Sequence, residues 1–124
     1  RKTVETLMRL HMEALTHSTH AMVPGMIRRR KGAIINVSSL ASILPIPDFA
    51  VYAASKAYVT SFSEALRIEM MEHGIEVLAL CPGPVHTGFG QVAQRGEPTN
   101  VTPGGESVYV DARQVVEEAI LALQ

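Results

Sequence analysis

Two short apolar runs set the main constraint on what this chain can become. Ala33-Ile34-Ile35-Asn36-Val37 and Ile75 to Leu80 are each too short for a helix, and both contain β-branched residues. Between them, from about Asp48 to His73, apolar residues return at helical spacing, and Gly74 supplies the stop. Two continuous apolar strands joined by a helix make a parallel βαβ unit with a right-handed crossover. Strands of this kind suit a sheet covered on both faces. The expected fold class is α/β with a parallel sheet, and ligands in such a sheet bind beyond the carboxyl ends of the strands.

The end of the first strand is where chemistry collects. Ser38, Ser39 and Ser42 follow the apolar run, and a turn punctuated by Pro45 and Pro47 leads into the helix, with Asp48 as the expected N-cap. Tyr52 and Lys56 stand four residues apart, stacked a turn apart on one helix face. A free phenol has a pKa of about 10 and is a poor base at neutral pH. A neighbouring ammonium favours the phenolate and brings such a group nearer to use as a general acid or base. A serine hydroxyl at the strand end can hold a carbonyl or alcohol oxygen in place. Such a site moves protons; accepting or supplying a hydride needs a cofactor. The alternative for Tyr52 and Lys56 is an ordinary amphipathic surface pair.

Three features in order decide between these readings. Tyr52-Ala53-Ala54-Ser55-Lys56 has the YxxxK spacing of the short-chain dehydrogenase/reductase family, and Ser39 precedes Tyr52 by thirteen residues, the spacing of that family's catalytic serine. Cys81-Pro82-Gly83-Pro84-Val85-His86-Thr87, after the second strand, resembles the family's Pro-Gly turn beside the nicotinamide. YxxxK alone is a weak signal, but the three together resemble the family from about Val4 to Leu123. The resemblance implies a Rossmann-like fold and an NAD- or NADP-dependent oxidoreductase acting on an alcohol or carbonyl substrate. It assigns catalysis to Ser39, Tyr52 and Lys56. It assigns cofactor contacts to Tyr52, Lys56, Pro82, Gly83, the backbone of Val85, and Thr87. A homodimer or homotetramer is implied as well, with the small residues Ala50, Ala53, Ala54, Ala57 and Ser61 allowing a neighbouring helix to approach closely. The segment around CPGPVHT looks like bacterial members related to steroid and long-chain ketoacyl reductases. Leu44 and Ile46 point to a partly apolar substrate.

The segment from about Thr3 to Ile27 reads as one long helix. Val4, Leu7, Met8, His11, Leu15, Ser18, Met22 and Met26 trace its inward stripe, and Pro24-Gly25 stands as a stop or kink near its end. Aligned on Pro24, His11 occupies the place where the family normally carries an asparagine near the catalytic lysine. That departure makes His11 a candidate site residue whose state depends on pH; a buried histidine bonded to a backbone carbonyl is the alternative. Glu13, His17 and His20 share one face at metal-ligand spacing, but no second ligand cluster accompanies them, and an exposed polar face is the preferred reading. Arg28-Arg29-Arg30-Lys31 reads as a solvated turn at a helix end.

Composition narrows the remaining classes. The chain has 124 residues, 47% hydrophobic and 19% charged, and a formal net charge of −1. It reads as globular, with no electrostatic reason to expect nucleic acid or an anionic membrane. A single cysteine excludes an internal disulfide framework and fits a cytoplasmic protein; Cys81 reads as packing. No apolar run approaches the length of a membrane span. Asn36-Val37-Ser38 and Asn100-Val101-Thr102 match the glycosylation triplet, without consequence in a cytoplasmic protein.

Residues 88–110 are glycine-rich and, by the resemblance, form a mobile lid over the substrate. Asp111 is expected to cap a last helix, Ala112 to Leu123. No GxxxGxG turn and no Asn-Asn-Ala-Gly stretch is present. Residues 1–124 are therefore expected to form a single partial domain, the catalytic half of a longer enzyme without the first dinucleotide-binding βαβ units. The rival expectation is a non-catalytic truncated member of the family that serves as a dimerisation module.

Overall fold

The computed structural model describes residues 2–85 and 108–123. Helix α1 (Lys2–Met8) passes into a π-helical segment (Arg9–Ala14) and then into α2 (Leu15–Arg29). Strand β1 (Gly32–Val37) follows, then a 3₁₀ turn at Leu40–Ser42 and helix α3 (Ala50–Met70). A second 3₁₀ turn (Met71–His73), strand β2 (Ile75–Leu80) and helix α4 (Ala112–Leu121) complete the described elements. The two strands pair in parallel, with register running from Gly32 opposite Ile75 to Val37 opposite Leu80. The βαβ unit is therefore formed, and the chain is α/β with a parallel two-stranded sheet flanked by helices.

The core lies between the sheet and the long helices. Ile34 of β1, Ile75 and Val77 of β2, and Leu66 and Met70 of α3 are buried together, with Val23, Met26, Ile27 and Phe62 packed against them. The face that the helical spacing of Tyr52, Lys56, Val59, Ser63, Leu66 and Met70 predicts for α3 is buried from Lys56 to Met70. The stripe on the first helix is kept at His11, Leu15 and Met26 but not between the last two. Ser18 and Met22 are exposed, whereas Thr19 is buried and Val23 packs on the core. A π turn inserts one extra residue into an α-helix. The inward face beyond Ala14 accordingly moves on by one position, from the expected 18 and 22 to 19 and 23.

Pro24 does not stop the helix, which continues through Arg29. The end comes at Arg30, in the left-handed region at φ 51°, with its amide bonded to the Ile27 carbonyl at 3.0 Å and that of Lys31 to Met26 at 3.3 Å. Arg30 also departs from a purely solvated role, since its guanidinium donates to the Glu72 carbonyl at 3.0 Å. The turn at the other end of β1 and β2 uses Gly74 at φ +70°, where an added Cβ would lie 3.1 Å from the Arg30 carbonyl oxygen.

Asp48 is not the N-cap of α3. It takes the left-handed conformation at φ 66°, and Phe49 stands at the cap without a side-chain bond. The Pro45–Pro47 turn continues into a bond from the Phe49 amide to the Ile46 carbonyl, at 3.2 Å, so the cap falls one residue later than the pattern suggests. Asp111 does cap α4, accepting from the amides of Arg113 and Gln114. That helix ends at Leu121, short of Leu123.

The expectation of strands covered on both faces is met on one face only. Val37 is 58% exposed, and Ala33 and Glu76 are exposed among the described residues. On that side α4 and β2 border an open cavity of about 410 Å³ lined by Leu78, Leu80, Val115 and Ala119.

Candidate active site

Parallel pairing continues past the ends of the named strands and fixes the site. The Ser38 amide donates to the Leu80 carbonyl at 2.7 Å, and the Leu40 amide to the Pro82 carbonyl at 2.9 Å. The serine segment and the Pro-Gly turn thus lie side by side at the carboxyl ends of β1 and β2. The structure separates the two serines. Ser38 is buried, and its hydroxyl donates to the Lys56 carbonyl at 2.9 Å. That uses its one proton, so the 2.6 Å contact with Thr60 Oγ1 has Thr60 as donor. Ser39 is extended and half-buried, and its Oγ accepts from the Ala41 amide at 3.1 Å. That contact leaves the Ser39 hydroxyl proton available to another acceptor.

Lys56 is buried to 9% exposure, and its Nζ donates to the Val37 carbonyl at 2.9 Å. The ammonium lies 5.8 Å from the centre of the Tyr52 ring. Burial pushes the Lys56 pKa below its ordinary value, because desolvation disfavours the charged form. Tyr52 is half-buried, with Phe49 edge-on at 6.3 Å. The surface pair that the helical spacing also allowed is excluded for Lys56 by this burial.

His11 joins the same group. Its Nδ1 lies 2.9 Å from Ser55 Oγ, and its ring stands edge-on to Tyr52 with centroids 6.0 Å apart. A histidine bonded only to backbone is therefore not what the fold contains. Burial first, and then the Lys56 charge, push the His11 pKa below 6.5. Thr16 and Tyr58 hold the two helices in register here: Thr16 Oγ1 donates to the Met12 carbonyl at 2.8 Å and receives the Tyr58 hydroxyl at 2.7 Å.

Pro82 and Gly83 stand at the strand end, and among the described residues nothing lies within 4 Å of the position where a Cβ on Gly83 would sit. Val85 pairs with Val110 in an isolated parallel bridge. Thr87 and residues 88–107 of the expected lid lie outside the described residues. Cys81 is half-buried against Thr60 and Ser42, at 3.6 and 3.9 Å, in keeping with packing. Glu13, His17 and His20 are exposed, and among the described residues no group of three His, Cys, Asp or Glu side chains could hold a metal. No helix among them is long and apolar enough to cross a membrane.

Sequence reasoning missed Ser55, which is buried and touches both His11 and the Tyr52 carbonyl. Its signal was a serine one residue before Lys56 on an otherwise alanine-rich turn. It missed Asn36 and Ser63 too, a buried pair joined at 2.9 Å that ties β1 to α3.

The short chain dehydrogenase family model matches residues 1–98. The chain belongs to the short-chain dehydrogenase family. It is 34% identical over 114 residues to the very-long-chain 3-oxoacyl-CoA reductase of Rattus norvegicus, covering 92% of this chain and 36% of that protein. It is 40% identical over 80 residues to the inactive hydroxysteroid dehydrogenase-like protein 1 of the same organism, covering 64% of this chain and 24% of that one. Among solved structures, a short-chain dehydrogenase from Sphingobium yanoikuyae in complex with NADPH superposes with a TM-score of 0.83 at 26% identity, over 98% of this chain and 45% of that one. The chain thus spans less than half the length of each of these relatives.

Proposed function

We propose that this chain carries the catalytic half of an NAD(P)-dependent oxidoreductase that interconverts an alcohol and a ketone or aldehyde. The observation that carries the reading is that Lys56, 5.8 Å from the Tyr52 ring, is anchored to the Val37 carbonyl at the carboxyl end of β1, where the serine segment lies alongside the Pro82-Gly83 turn. In the oxidation direction Tyr52 takes the alcohol proton. Lys56, anchored through the Val37 carbonyl, keeps two further N–H donors for a phenol oxygen or a ribose hydroxyl. Ser39 donates its unused proton to the substrate oxygen.

A nicotinamide dinucleotide, when bound, supplies the hydride acceptor or donor. The residues fit such a group, since among the described residues the space in front of Gly83 is open and a side chain there would project into it. Pro82, Gly83, the Val85 backbone and Thr87 are the groups that would hold it. NADPH in the Sphingobium yanoikuyae relative supports this choice of cofactor class. The 3-oxoacyl-CoA reductase name of the rat relative supports an acyl-chain substrate, in keeping with exposed Leu44 and half-buried Ile46 beside the site. A homodimer or homotetramer is part of the same reading.

The non-catalytic reading draws on one observation, the relative named inactive. Turnover separates the two. With the protein in its full length, NADPH- or NADH-dependent reduction of a medium-chain 3-ketoacyl thioester is expected, and Tyr52→Phe should lower kcat by about 10²- to 10⁴-fold. An unchanged rate in Tyr52→Phe would sink the mechanism, and no turnover with either cofactor would favour the non-catalytic module.

A further inference from the structure

His11 meets α3 at two points, and counting protons there fixes its chemical state. Ser55 Oγ lies 2.7 Å from the Tyr52 carbonyl and 2.9 Å from His11 Nδ1. A carbonyl oxygen can only accept, and a hydroxyl has one proton. Ser55 therefore donates to Tyr52, and the bond to His11 runs the other way, with Nδ1–H as donor. A neutral imidazole carries its proton on one nitrogen only, so Nε2 is left with a bare lone pair. Ser55 is buried at 3% exposure and cannot readily turn to water for an alternative bond.

We propose that His11 is a positioning residue of the Tyr52–Lys56 pair: Ser55 fixes its Nδ1–H tautomer, and the lone pair left on Nε2 makes neutral His11 an acceptor beside that pair until acidification removes it. This rests on the oxidoreductase reading for its consequence, but not for the tautomer itself. The titratable groups facing His11 from α3 are Tyr52, edge-on at 6.0 Å, and Lys56. Asp48 lies in the turn before that helix, and on its own side the neighbours Arg9 and Glu13 are exposed. Burial and the Lys56 charge both oppose protonation of His11 and hold it neutral near pH 7. Once protonated it becomes a second cation close to Lys56, and Nε2 turns from acceptor into donor. The result is a site that loses its arrangement on the acid side.

His11 lies within the π segment, which Thr16 and Tyr58 tie across to α3.

The test is imidazole ¹⁵N NMR on the purified protein, with the His11 signals assigned by their loss in His11→Asn. At about pH 8, Nδ1 is expected at the protonated position and Nε2 at the bare one, and titration should give a midpoint below the ordinary histidine value of 6.5. In Lys56→Met the midpoint should rise toward that value, and in Ser55→Ala the Nε2–H tautomer should appear. A Nε2–H tautomer in the unaltered protein, or a midpoint at or above 6.5, would overturn the proposal. The unaltered protein alone decides that point, so a variant that misfolds does not shelter it. In kinetics, the ratio of kcat/KM at about pH 5.5 to that at about pH 8 should rise about tenfold in His11→Asn, because asparagine keeps a polar group but does not titrate. An identical pH profile in the two proteins would overturn the positioning role. Absence of turnover in the unaltered protein would count against the oxidoreductase reading and leave the tautomer result standing.

Discussion

Adjacent serines in this site do different work, and the difference comes from where each proton goes. Ser38 is buried and spends its proton on the Lys56 carbonyl while accepting from Thr60, so it ties the strand end to α3. Ser39 is half-buried and uses only its lone pair, on the Ala41 amide. Replacing Ser38 by alanine should therefore cost stability, about 1–2 kcal/mol for a lost buried hydrogen bond with a partner left behind. Replacing Ser39 should barely move the unfolding midpoint but lower kcat by about 10²-fold or more if its hydroxyl orients the substrate oxygen. Urea unfolding and steady-state kinetics on the two variants check both halves. A Ser39→Ala enzyme with a full rate would remove that serine from the mechanism, whatever Ser38→Ala shows.

At the scale of elements, the π segment is the feature with the widest consequences. By adding one residue it turns α2 so that Thr19 and Val23 face inward and Met22 stands 49% exposed. Val23→Ala should then destabilise the fold by about 1–2 kcal/mol, because Val23 packs on the core cluster, and Met22→Ala should change stability by less than about 0.5 kcal/mol. The reverse order in thermal or urea unfolding would restore the uninterrupted helix. The sequence could not show this turn, since Val4, Leu7, Met8, Leu15, Met22 and Met26 fit a regular stripe on their own. What sets the bulge is long-range: Thr16 meeting Tyr58, and His11 meeting Ser55, each more than 40 residues away in the chain. The strands and α3 were legible because each is determined locally. Two β-branched runs with a helical period between them allow one topology, and in α3 every expected inward position from Lys56 to Met70 is buried. Asp48 misled for the opposite reason: its side chain suits an N-cap, but the proline turn sends its backbone into the left-handed region. Ser55 left only a faint signal, a serine among alanines just before Lys56, because a buried serine has no periodic pattern until its partner His11 on another helix is known.

Taken as a whole, the molecule places two basic groups where folding disfavours their charge, and its stability should depend on pH in a definite direction. His11 and Lys56 both have pKa values pushed below their ordinary values of 6.5 and 10.5. For each, the unfolded chain binds a proton more readily than the folded one, and stability rises with pH wherever that is so. The His11 contribution is fully present above 6.5 and is lost as pH falls through its lower folded value. The Lys56 window lies between its lowered folded value and 10.5, so below that window the fold carries the cost of a buried ammonium. The expected outcome is a urea midpoint that falls on acidification from about pH 6.5 in the unaltered protein, with a shallower fall in His11→Asn. Equal slopes in the two proteins would mean that His11 titrates alike in the folded and unfolded chains. In that case the fold exerts no hold on its protonation, and the imidazole beside Tyr52 carries a charge that its surroundings do nothing to prevent.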